Sequence, residues 1–464
     1  MRPENLRIAS HLSSFLSVVL LISVLAGNAD NPPNRGEKAH FSESELFIGT
    51  AEAEFKADDS MVIAGGITPG KAGGQEGKLR AVAIVLHRPP FEKLAIVACD
   101  ILMITREFLD DAAEQIEAAT GILSGNLLIN CTHTHHAPST VLLHGYQTDP
   151  AFANHVRQKI VEAVTQANAN LTAEASEFYF HLGAEKSVGQ NSRQLLSDGQ
   201  IYWIGPRDQF VRPTGPFDPE LPVWGFRHRD RRWQAVIFNH STHTIGTRQP
   251  GVRSPSFYGL ASQELESELG GLFCFLEGAS GSTHNLTLGF DDLVARIKTA
   301  TRRALASAMP HKATPLKSLK RPFHFNVRSF DESKEEAAVA RYCRDWVGPY
   351  GEQVIRVFRN MRNNLAPQQG QPRETWIQAM RIGDIAIVGV PAEFFTKLGL
   401  DIKNRSPFRY TYIAELANDW IGYLPDLDAH QLGGYQVWTG YHSYAEHGTG
   451  ERMVEEVVKL LNEL

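Results

Sequence analysis

The sequence predicts an α/β protein in which helices cover the core of a mixed β-sheet. Apolar, β-rich runs alternate with helical patterns along the chain, which is the order of elements expected for this class. Hydrophobic residues make up 42% and charged residues 21% of the 464 residues. These fractions are typical of a soluble globular protein and exclude wholesale disorder, a coiled coil and a multi-span membrane protein. No internal repeat stands out, so we expect one large domain.

Each predicted strand is a short apolar run. The runs 79–87 (LRAVAIVLH) and 94–98 (LAIVA) are apolar enough to be buried strands. A late pair of runs flanks Gly383 and Asp384, which predicts two strands joined by a turn. In chain order, the predicted strands cover residues 79–87, 94–98, 127–131, 177–182, 233–239, 271–277, 376–381 and 385–390.

The predicted helices carry apolar residues at helical spacing. In segment 105–119, Phe108, Leu109, Ala112 and Ile116 lie roughly on one face. In chain order, the predicted helices cover residues 105–119, 149–168, 258–269, 290–308 and 331–346.

Charge, cysteine and glycine patterns exclude several functions. The formal net charge is −6 and no long basic block is present, so we expect no nucleic-acid partner. None of the four cysteines forms a Cys-x-x-Cys pair, and three of them lie in apolar runs. We expect buried thiols, with a disulfide as the alternative in an exported protein. The glycine-rich segment 65–77 lacks the Ser or Thr of a phosphate-binding loop at Ala72, so we expect a surface loop.

The first residues have the layout of a secretory signal peptide. Arg2 and Arg7 precede the apolar stretch 15–26, and Gly27 and Ala29 supply small residues for cleavage. We therefore expect a signal peptide over residues 1–29, a flexible leader over 30–45 and one domain over 46–464. A secreted or periplasmic location follows, with an uncleaved membrane anchor as the alternative.

The strongest local signal for chemistry is the segment 131–138, CTHTHHAP. It follows an apolar run, so His133 falls at the end of a predicted strand. In extended chain, His133 and His135 point to the same face. Two imidazoles at the mouth of a sheet suit a zinc pocket, in which three protein ligands leave a position open for water. Hydrogen-bonded surface histidines are the alternative.

Three further segments add polar residues directly after apolar runs. The segment 238–244 (FNHSTHT) supplies His240 and His243, of which one can be a ligand and the other a supporting residue. Glu393 follows a buried strand and a proline turn, and Tyr435 lies twelve residues beyond Tyr423. Taken singly, each of these segments is also compatible with an ordinary loop.

Together these segments resemble the neutral/alkaline non-lysosomal ceramidase family. The family's THTHSGP matches residues 132–138, its histidine segment matches 238–243, and its PGE matches 391–393. Its NAYxGY, followed twelve residues later by another tyrosine, matches residues 418–423 and Tyr435. Weaker matches at 66–69, 79–81 and 97–100 extend the resemblance over about residues 46–440. It implies a ceramidase catalytic-domain-like fold with a metal site at the ends of strands.

The resemblance also implies roles for individual residues. His135 would shuttle protons beside the metal, and Tyr435 would donate a hydrogen bond to the substrate carbonyl. Asp100 could orient a ligand histidine or simply form a turn at the end of its strand. The implied zinc ligands are His133, His243, Glu393 and Tyr423.

The chain departs from the family at several positions. The family's serine aligns with His284, which could be an acid–base group or could fill the pocket, and neither Ser280 nor Ser282 lies at the matched position. The family's substrate-contacting arginine is displaced by one residue to Arg193, and Trp420 replaces a tyrosine. These departures weaken the case for a serine-dependent step and for ceramide as the substrate.

The sequence therefore predicts a zinc-dependent hydrolase that cleaves an amide bond by means of activated water. The expected substrate is a small molecule, an N-acyl lipid such as ceramide, which would bring the protein into peripheral contact with a membrane. Two alternatives stay open: the same site acting on another small amide or ester, and a non-catalytic ceramidase-like binding protein.

Overall fold

The computed structural model describes residues 45–90, 93–205 and 207–464. The predicted signal peptide, and the predicted leader except for Glu45, lie outside the described residues. Within the described ranges, no helix is long and apolar enough to cross a membrane.

The first of three main sheets has the order β1-β2-β3-β4. Its first three strands are antiparallel neighbours, whereas β4 runs parallel to β3. Helix α1 makes the crossover between β3 and β4, and α2 packs on β1 and β2. The bounds are β1 (Phe47–Glu54), β2 (Arg80–His87), β3 (Lys93–Cys99), α1 (Arg106–Thr120), β4 (Leu127–Cys131) and α2 (Pro150–Ala169).

The second sheet repeats this arrangement. Strands β5, β6 and β7 are antiparallel neighbours, and β8 runs parallel to β7 after the crossover helix α3. Helix α4 packs on β5 and β6, and the short strand Met309–Pro310 extends the sheet beyond β5. The bounds are β5 (Glu177–Ala184), β6 (Glu220–Arg227), β7 (Trp233–His240), α3 (Ser256–Leu269), β8 (Leu272–Glu277) and α4 (Phe290–Ser307).

The third sheet has the same order again. Strands β9, β10 and β11 are antiparallel neighbours, α7 makes the crossover, and β12 is parallel to β11. Helix α9 packs on β9 and β10. The bounds are β9 (Leu316–Asn326), α5 (Glu332–Tyr342), α6 (Gly351–Leu365), β10 (Pro372–Ile382), β11 (Ile385–Gly389), α7 (Thr396–Arg405), β12 (Tyr410–Ala414), α8 (Leu427–Leu432) and α9 (Thr449–Glu463).

The remaining segments are short. They include a π-helical turn over Cys343–Val347, which continues the predicted helix 331–346 after α5 ends. The short strand pairs are Val62–Ile63 with Gly70–Lys71, Gln190–Asn191 with Thr283–His284, Gln194–Leu196 with Phe210–Pro213, and Glu393–Phe394 with Tyr423–Leu424. The 3₁₀ turns are Ser124–Asn126, Arg207–Gln209, Gly348–Tyr350, Ala366–Gln368 and Tyr435–Val437.

The predicted fold class is confirmed, with a structural repeat that the sequence analysis missed. Three β-β-β-α-β-α units replace the single mixed sheet that we expected. The inner faces of all three sheets share one core, to which Ile84, Ile237 and Ile387 each contribute from a different sheet. On β2, Val82 and Ile84 face this shared core, whereas Ala81 and Ala83 face the helices. Because both faces are buried, such strands appear in the sequence as continuous apolar runs.

The ends of the three crossover strands meet at the centre of the molecule. The Glu277 amide donates to Asn130 Oδ1 over 3.0 Å, and the Glu415 amide donates to the Glu277 carbonyl over 3.0 Å. The Asn130 side chain donates in turn to the Glu415 carbonyl. The carboxyl ends of β4, β8 and β12 are thereby held together, and residues that follow these strands are brought into one site.

The cysteines are buried and unpaired. All four have free thiols, and Cys99 lies directly opposite Cys131 in the pairing of β3 with β4. The expectation of buried thiols is confirmed. Burial also raises the pKa of the Cys131 thiol to about 12, which makes it a poor nucleophile.

Candidate metal centre

Each main sheet contributes one candidate metal ligand after a strand. His133 follows β4, His243 follows β7 and Glu393 follows β11. The short parallel pairing of Glu393–Phe394 with Tyr423–Leu424 places Tyr423 directly beside Glu393. All four predicted ligands are nearly inaccessible to solvent. The fold therefore gathers residues that are nearly 300 positions apart in the chain.

Three imidazoles converge with their Nε2 atoms free of protons. His133, His135 and His243 each hold Nδ1 against a backbone carbonyl oxygen, which can only accept, so the ring proton is on Nδ1. The carbonyls are those of Leu102, Gly65 and Ser280, at 3.0, 3.1 and 2.9 Å respectively. The facing ligand atoms of the three rings lie within 4.8 Å of one another. Such a cluster of imidazole lone pairs can bind a cation.

The separations between donor atoms fit ligands of one metal ion. Two neighbouring ligand atoms that each lie about 2.1 Å from a metal are about 3.0–3.4 Å apart. Glu393 Oε2 lies 3.5 Å from His133 Nε2 and 3.3 Å from His243 Nε2. The Tyr423 hydroxyl lies 3.0 Å from His243 Nε2, and His135 Nε2 lies 3.3 Å from His133 Nε2. The donor set thus has nitrogen and oxygen atoms at a spacing that suits a metal ion.

The electrostatics favour a positive ion. Burial alone would raise the pKa of Glu393, but its contacts with His133 and His243 hold that pKa well below the usual range. Burial lowers the pKa of His243, so its ring stays neutral. The centre therefore combines imidazole nitrogens with one ionised carboxylate. The second oxygen of that carboxylate is held by Trp420, whose indole Nε1 donates to Glu393 Oε1 over 3.2 Å.

Two histidines that are not among the four predicted ligands, His135 and His284, border the centre. The ring of His284 lies 4.2 Å from the ring of His243, and its buried Nε2 has no hydrogen-bond partner among the described residues. Burial holds the pKa of both His284 and His135 well below the ordinary value. Two neutral imidazoles with available nitrogen atoms therefore face the place where a metal would bind.

The glycine-rich segment packs against the centre on one side. Gly65 has φ +104°, and a Cβ there would lie 2.5 Å from His135 Nδ1. Glycine is required at this position because it alone permits both the conformation and the close approach. The interpretation of segment 65–77 as a surface loop missed this role, which only a contact 70 residues along the chain reveals.

Tyr435 lies beside the predicted ligand Tyr423. Its hydroxyl lies 3.2 Å from His144 Nε2, and its ring centroid lies 6.0 Å from that of Tyr423. His144 was not singled out in the sequence, because it follows no strand and belongs to no histidine cluster.

The serines near His284 face away from the centre. The Ser280 hydroxyl donates to Glu415 over 2.6 Å and lies 3.2 Å from His243 Nδ1, on the far edge of that ring. The Ser282 hydroxyl donates to Thr396 over 3.2 Å. Neither hydroxyl faces the converging Nε2 atoms, so neither is placed as a nucleophile at the metal.

Arg193 and Asp100 support the surrounding structure. The Arg193 guanidinium is buried and donates to Gln436 over 3.1 Å and to two backbone carbonyls of the segment that carries Tyr435. The Asp100 carboxylate accepts a hydrogen bond from Thr132 over 3.2 Å. The group that orients His133 is the Leu102 carbonyl, which no sequence motif indicates.

Two buried carboxyl groups, those of Glu277 and Glu415, lie next to the segments that carry His243 and Ser280. Glu415 accepts from the Ser280 amide over 3.0 Å and from the Phe394 amide over 2.7 Å, in addition to the Ser280 hydroxyl. Glu277 accepts from the Thr244 hydroxyl over 2.7 Å. Burial and mutual repulsion raise the pKa of Glu277 well above its usual range. Glu415 therefore links Ser280, whose carbonyl orients His243, to Phe394, which follows Glu393.

Comparison with solved structures places this architecture among known folds. The structure superposes on the neutral ceramidase from Pseudomonas aeruginosa with a TM-score of 0.69 and 17% sequence identity, covering 91% of this chain and 75% of that chain. It superposes equally well, at 0.69, on a ceramidase complexed with C2, with 15% identity and coverage of 90% and 74%. The chain has a ceramidase-like fold. At this identity, the likeness concerns the fold.

Comparisons at the level of sequence give no match. No protein-family model matches the chain, and no curated protein matches it. The ceramidase-like architecture expected from short motifs is therefore supported by the three-dimensional fold.

Proposed function

We propose that this protein is a zinc-dependent hydrolase that cleaves the amide bond of an N-acyl compound. The observation that carries the proposal is the convergence of three imidazoles and one carboxylate at separations that suit one zinc ion. The ceramidase-like fold supports an N-acyl lipid as the substrate class.

The metal would be held by His133, His243, Glu393 and Tyr423, with His135 bordering it. Zinc bound there would lower the pKa of a water molecule toward about 7 and polarise a carbonyl group. The protein holds the ligand atoms in place before the metal arrives, because each imidazole is oriented by a backbone carbonyl.

Two imidazoles can move the protons that amide hydrolysis requires. Water adds to the carbonyl carbon, the C–N bond breaks, and one proton passes from the water to the departing amine nitrogen. His135 has an unprotonated Nε2 beside the ligands and is the expected carrier of that proton. His284 offers a second buried nitrogen without a partner among the described residues, on the other side of His243. Since neither the Ser280 hydroxyl nor the Ser282 hydroxyl faces the centre, water is the expected nucleophile.

An apolar cavity beside His284 can hold the acyl chain. It has a volume of about 540 Å³ and is lined by Phe210, Phe217 and Leu286, among others. Gln190, which also lines it, pairs with His284 across a short antiparallel bridge. Cavities of this size and character are typical of small-molecule sites. A lipid chain placed there would leave its amide near the imidazoles.

Metal content is the first test. We expect about one zinc ion per chain in the purified protein, and loss of that zinc in His243→Ala. His324→Ala is the matched control, because this imidazole is 69% exposed and remote from the centre, and it should keep the zinc. A parent protein that contains no zinc and takes up none would reject the metal mechanism.

A panel of substrates tests the reaction. N-acyl sphingosines, N-acyl amino acids with chains of different length, and simple esters should be incubated with the zinc-loaded protein and with His135→Ala. We expect cleavage of long-chain amides, and a fall of about 10²–10⁴-fold in kcat on removal of the proton carrier. Cleavage of short substrates alone would reject the preference for lipids. Zinc binding without any cleavage would favour a binding protein.

A further inference from the structure

The hydroxyl proton of Tyr435 is directed away from the metal centre by His144. His144 Nδ1 lies 3.0 Å from the Gly66 carbonyl oxygen, and His144 Nε2 lies 3.2 Å from the Tyr435 hydroxyl. A carbonyl oxygen only accepts hydrogen bonds, so the Nδ1 atom carries the proton. Burial lowers the pKa of His144 to about 4, which leaves a neutral ring at neutral pH. His144 Nε2 is then an acceptor, so the Tyr435 hydroxyl donates the hydrogen bond that joins the two side chains.

Both partners are held in place. The Tyr435 ring lies between Trp203, stacked at 4.9 Å between centroids, and His442, stacked at 5.1 Å. His144 has φ +49°, a left-handed conformation that is uncommon outside glycine and for which histidine is among the more tolerant side chains. The imidazole is therefore fixed by its unusual backbone and by Gly66, and the tyrosine ring cannot turn away from it.

We propose that Tyr435 meets the substrate as a hydrogen-bond acceptor, with His144 as the residue that imposes this polarity. The two lone pairs of the phenol oxygen then remain for a donor, and the N–H of a secondary amide is a donor next to the reacting carbonyl. This inference rests on the proposed amide hydrolysis, and it reverses the donor role that the family resemblance implies for Tyr435. It predicts selection for secondary amides against esters, which have no such N–H.

The ratio of kcat/KM for a secondary amide to that for the ester with the same acyl chain measures this selection. His144→Asn keeps a residue that tolerates positive φ but removes the Nε2 acceptor, so the tyrosine proton is free to turn toward the substrate. We expect the ratio to fall at least tenfold, mainly through KM for the amide. Tyr435→Phe should lower the ratio similarly.

The matched control is His324→Asn. This imidazole is 69% exposed and is not part of the Tyr435–His144 pair, so the ratio should stay within threefold of the parent value. An unchanged ratio in both His144→Asn and Tyr435→Phe would overturn the proposal.

A spectroscopic measurement separates this proposal from the proposed function. In protein with ¹⁵N-labelled histidine, the His144 signals, assigned by their loss in His144→Asn, should report a protonated Nδ1 and an unprotonated Nε2. The opposite tautomer would overturn the assignment of polarity whether or not the protein hydrolyses amides. The expected tautomer without hydrolysis of any amide would instead reject the proposed function and leave the Tyr435–His144 pair as described.

Discussion

Two buried layers of the centre use their polar atoms in opposite ways. We call the first the imidazole layer and the second the carboxylate layer. In the imidazole layer, Nδ1 atoms donate to backbone carbonyls while unprotonated Nε2 atoms face one another. In the carboxylate layer, the oxygen atoms of Glu415 accept hydrogen bonds from the protein itself. The imidazole layer consists of His133, His135 and His243, and the carboxylate layer consists of Glu277, Ser280 and Glu415.

The difference shows how one buried site can be both rigid and able to bind. A polar group whose hydrogen bonds are satisfied within the chain stabilises the local structure, whereas a buried group left unsatisfied costs free energy until an external partner arrives. The carboxylate layer thus holds the backbone segments in position. The imidazole layer leaves the lone pairs of its Nε2 atoms available to a metal and a substrate.

The largest expected effect is a loss of stability in acid. The pKa values of His135 and His284 are lowered by burial, as is that of His442, to about 3. Below the unfolded value of about 6.5, the unfolded chain binds protons that the native chain does not, so each such histidine costs about 1.4 kcal/mol per pH unit. Urea denaturation of metal-free protein should give a clearly lower free energy of unfolding at pH 5 than at pH 7.

The carboxylate layer should oppose this trend. Burial raises the pKa of Glu415 well above its usual range, so the native chain binds a proton before the unfolded chain does. That contribution favours the native state as the pH falls, and Glu415→Gln removes it. The decline from pH 7 to pH 5 should therefore be steeper in the variant than in the parent. A decline in Glu415→Gln that is no steeper than in the parent would contradict the contrast between the layers.

Removing the negative charge from the centre should weaken metal binding strongly. Glu393→Gln keeps the shape of the side chain but loses the carboxylate that two imidazoles surround. Breaking a buried charge pair costs about 3–5 kcal/mol, so we expect zinc affinity to fall by several hundredfold or more. Chelator competition measures it. Glu374→Gln, at a side chain that is 43% exposed, is the control and should leave the affinity unchanged.

Disturbing the carboxylate layer should have a smaller effect on the metal. Glu415→Gln can keep one acceptor oxygen but not the hydrogen bonds from both the Ser280 and Phe394 amides. Groups that orient metal ligands typically contribute about 10–100-fold in affinity. Chelator competition at pH 7 should show a loss in this range with a folded circular dichroism spectrum. An unchanged zinc affinity would mean that the layer does not position the ligands.

The smallest expected effect comes from the Ser280 hydroxyl. Ser280→Ala removes the donor to Glu415 but leaves the backbone carbonyl that orients His243. We expect a loss of about 1 kcal/mol in the free energy of unfolding and less than a tenfold change in zinc affinity. Thermal and urea denaturation test the first part. A larger loss of zinc would show that the hydroxyl, and not the carbonyl, orients His243.

Local sequence patterns predicted much of the fold, but only where both faces of a strand or one face of a helix is apolar. The runs at β2, β3, β4, β7 and β8 are of this kind. Strand β9 was missed because most of its residues are half-buried or exposed and include Lys317, Lys320 and Arg321. Helix α6 was missed although Val354, Ile355, Phe358, Met361 and Leu365 are buried along one face at helical spacing.

The sequence by itself determined the elements and the residue types at their ends. Histidine, glutamate and tyrosine directly after apolar runs indicated a metal site at strand ends, because strand ends are where side chains of distant segments meet. That inference depends only on periodicity and on local order, which a single sequence displays.

Only the tertiary structure decided which atoms meet. The threefold β-β-β-α-β-α arrangement brings Ser280 against Glu415 across 135 residues and Tyr435 against His144 across 291 residues. The tautomers of the imidazoles depend on carbonyl oxygens that belong to no motif, since every residue has one. The chemistry of the centre therefore depends on how the three units pack. Contacts between distant segments produce no periodic pattern in the sequence, so they could not be predicted from it.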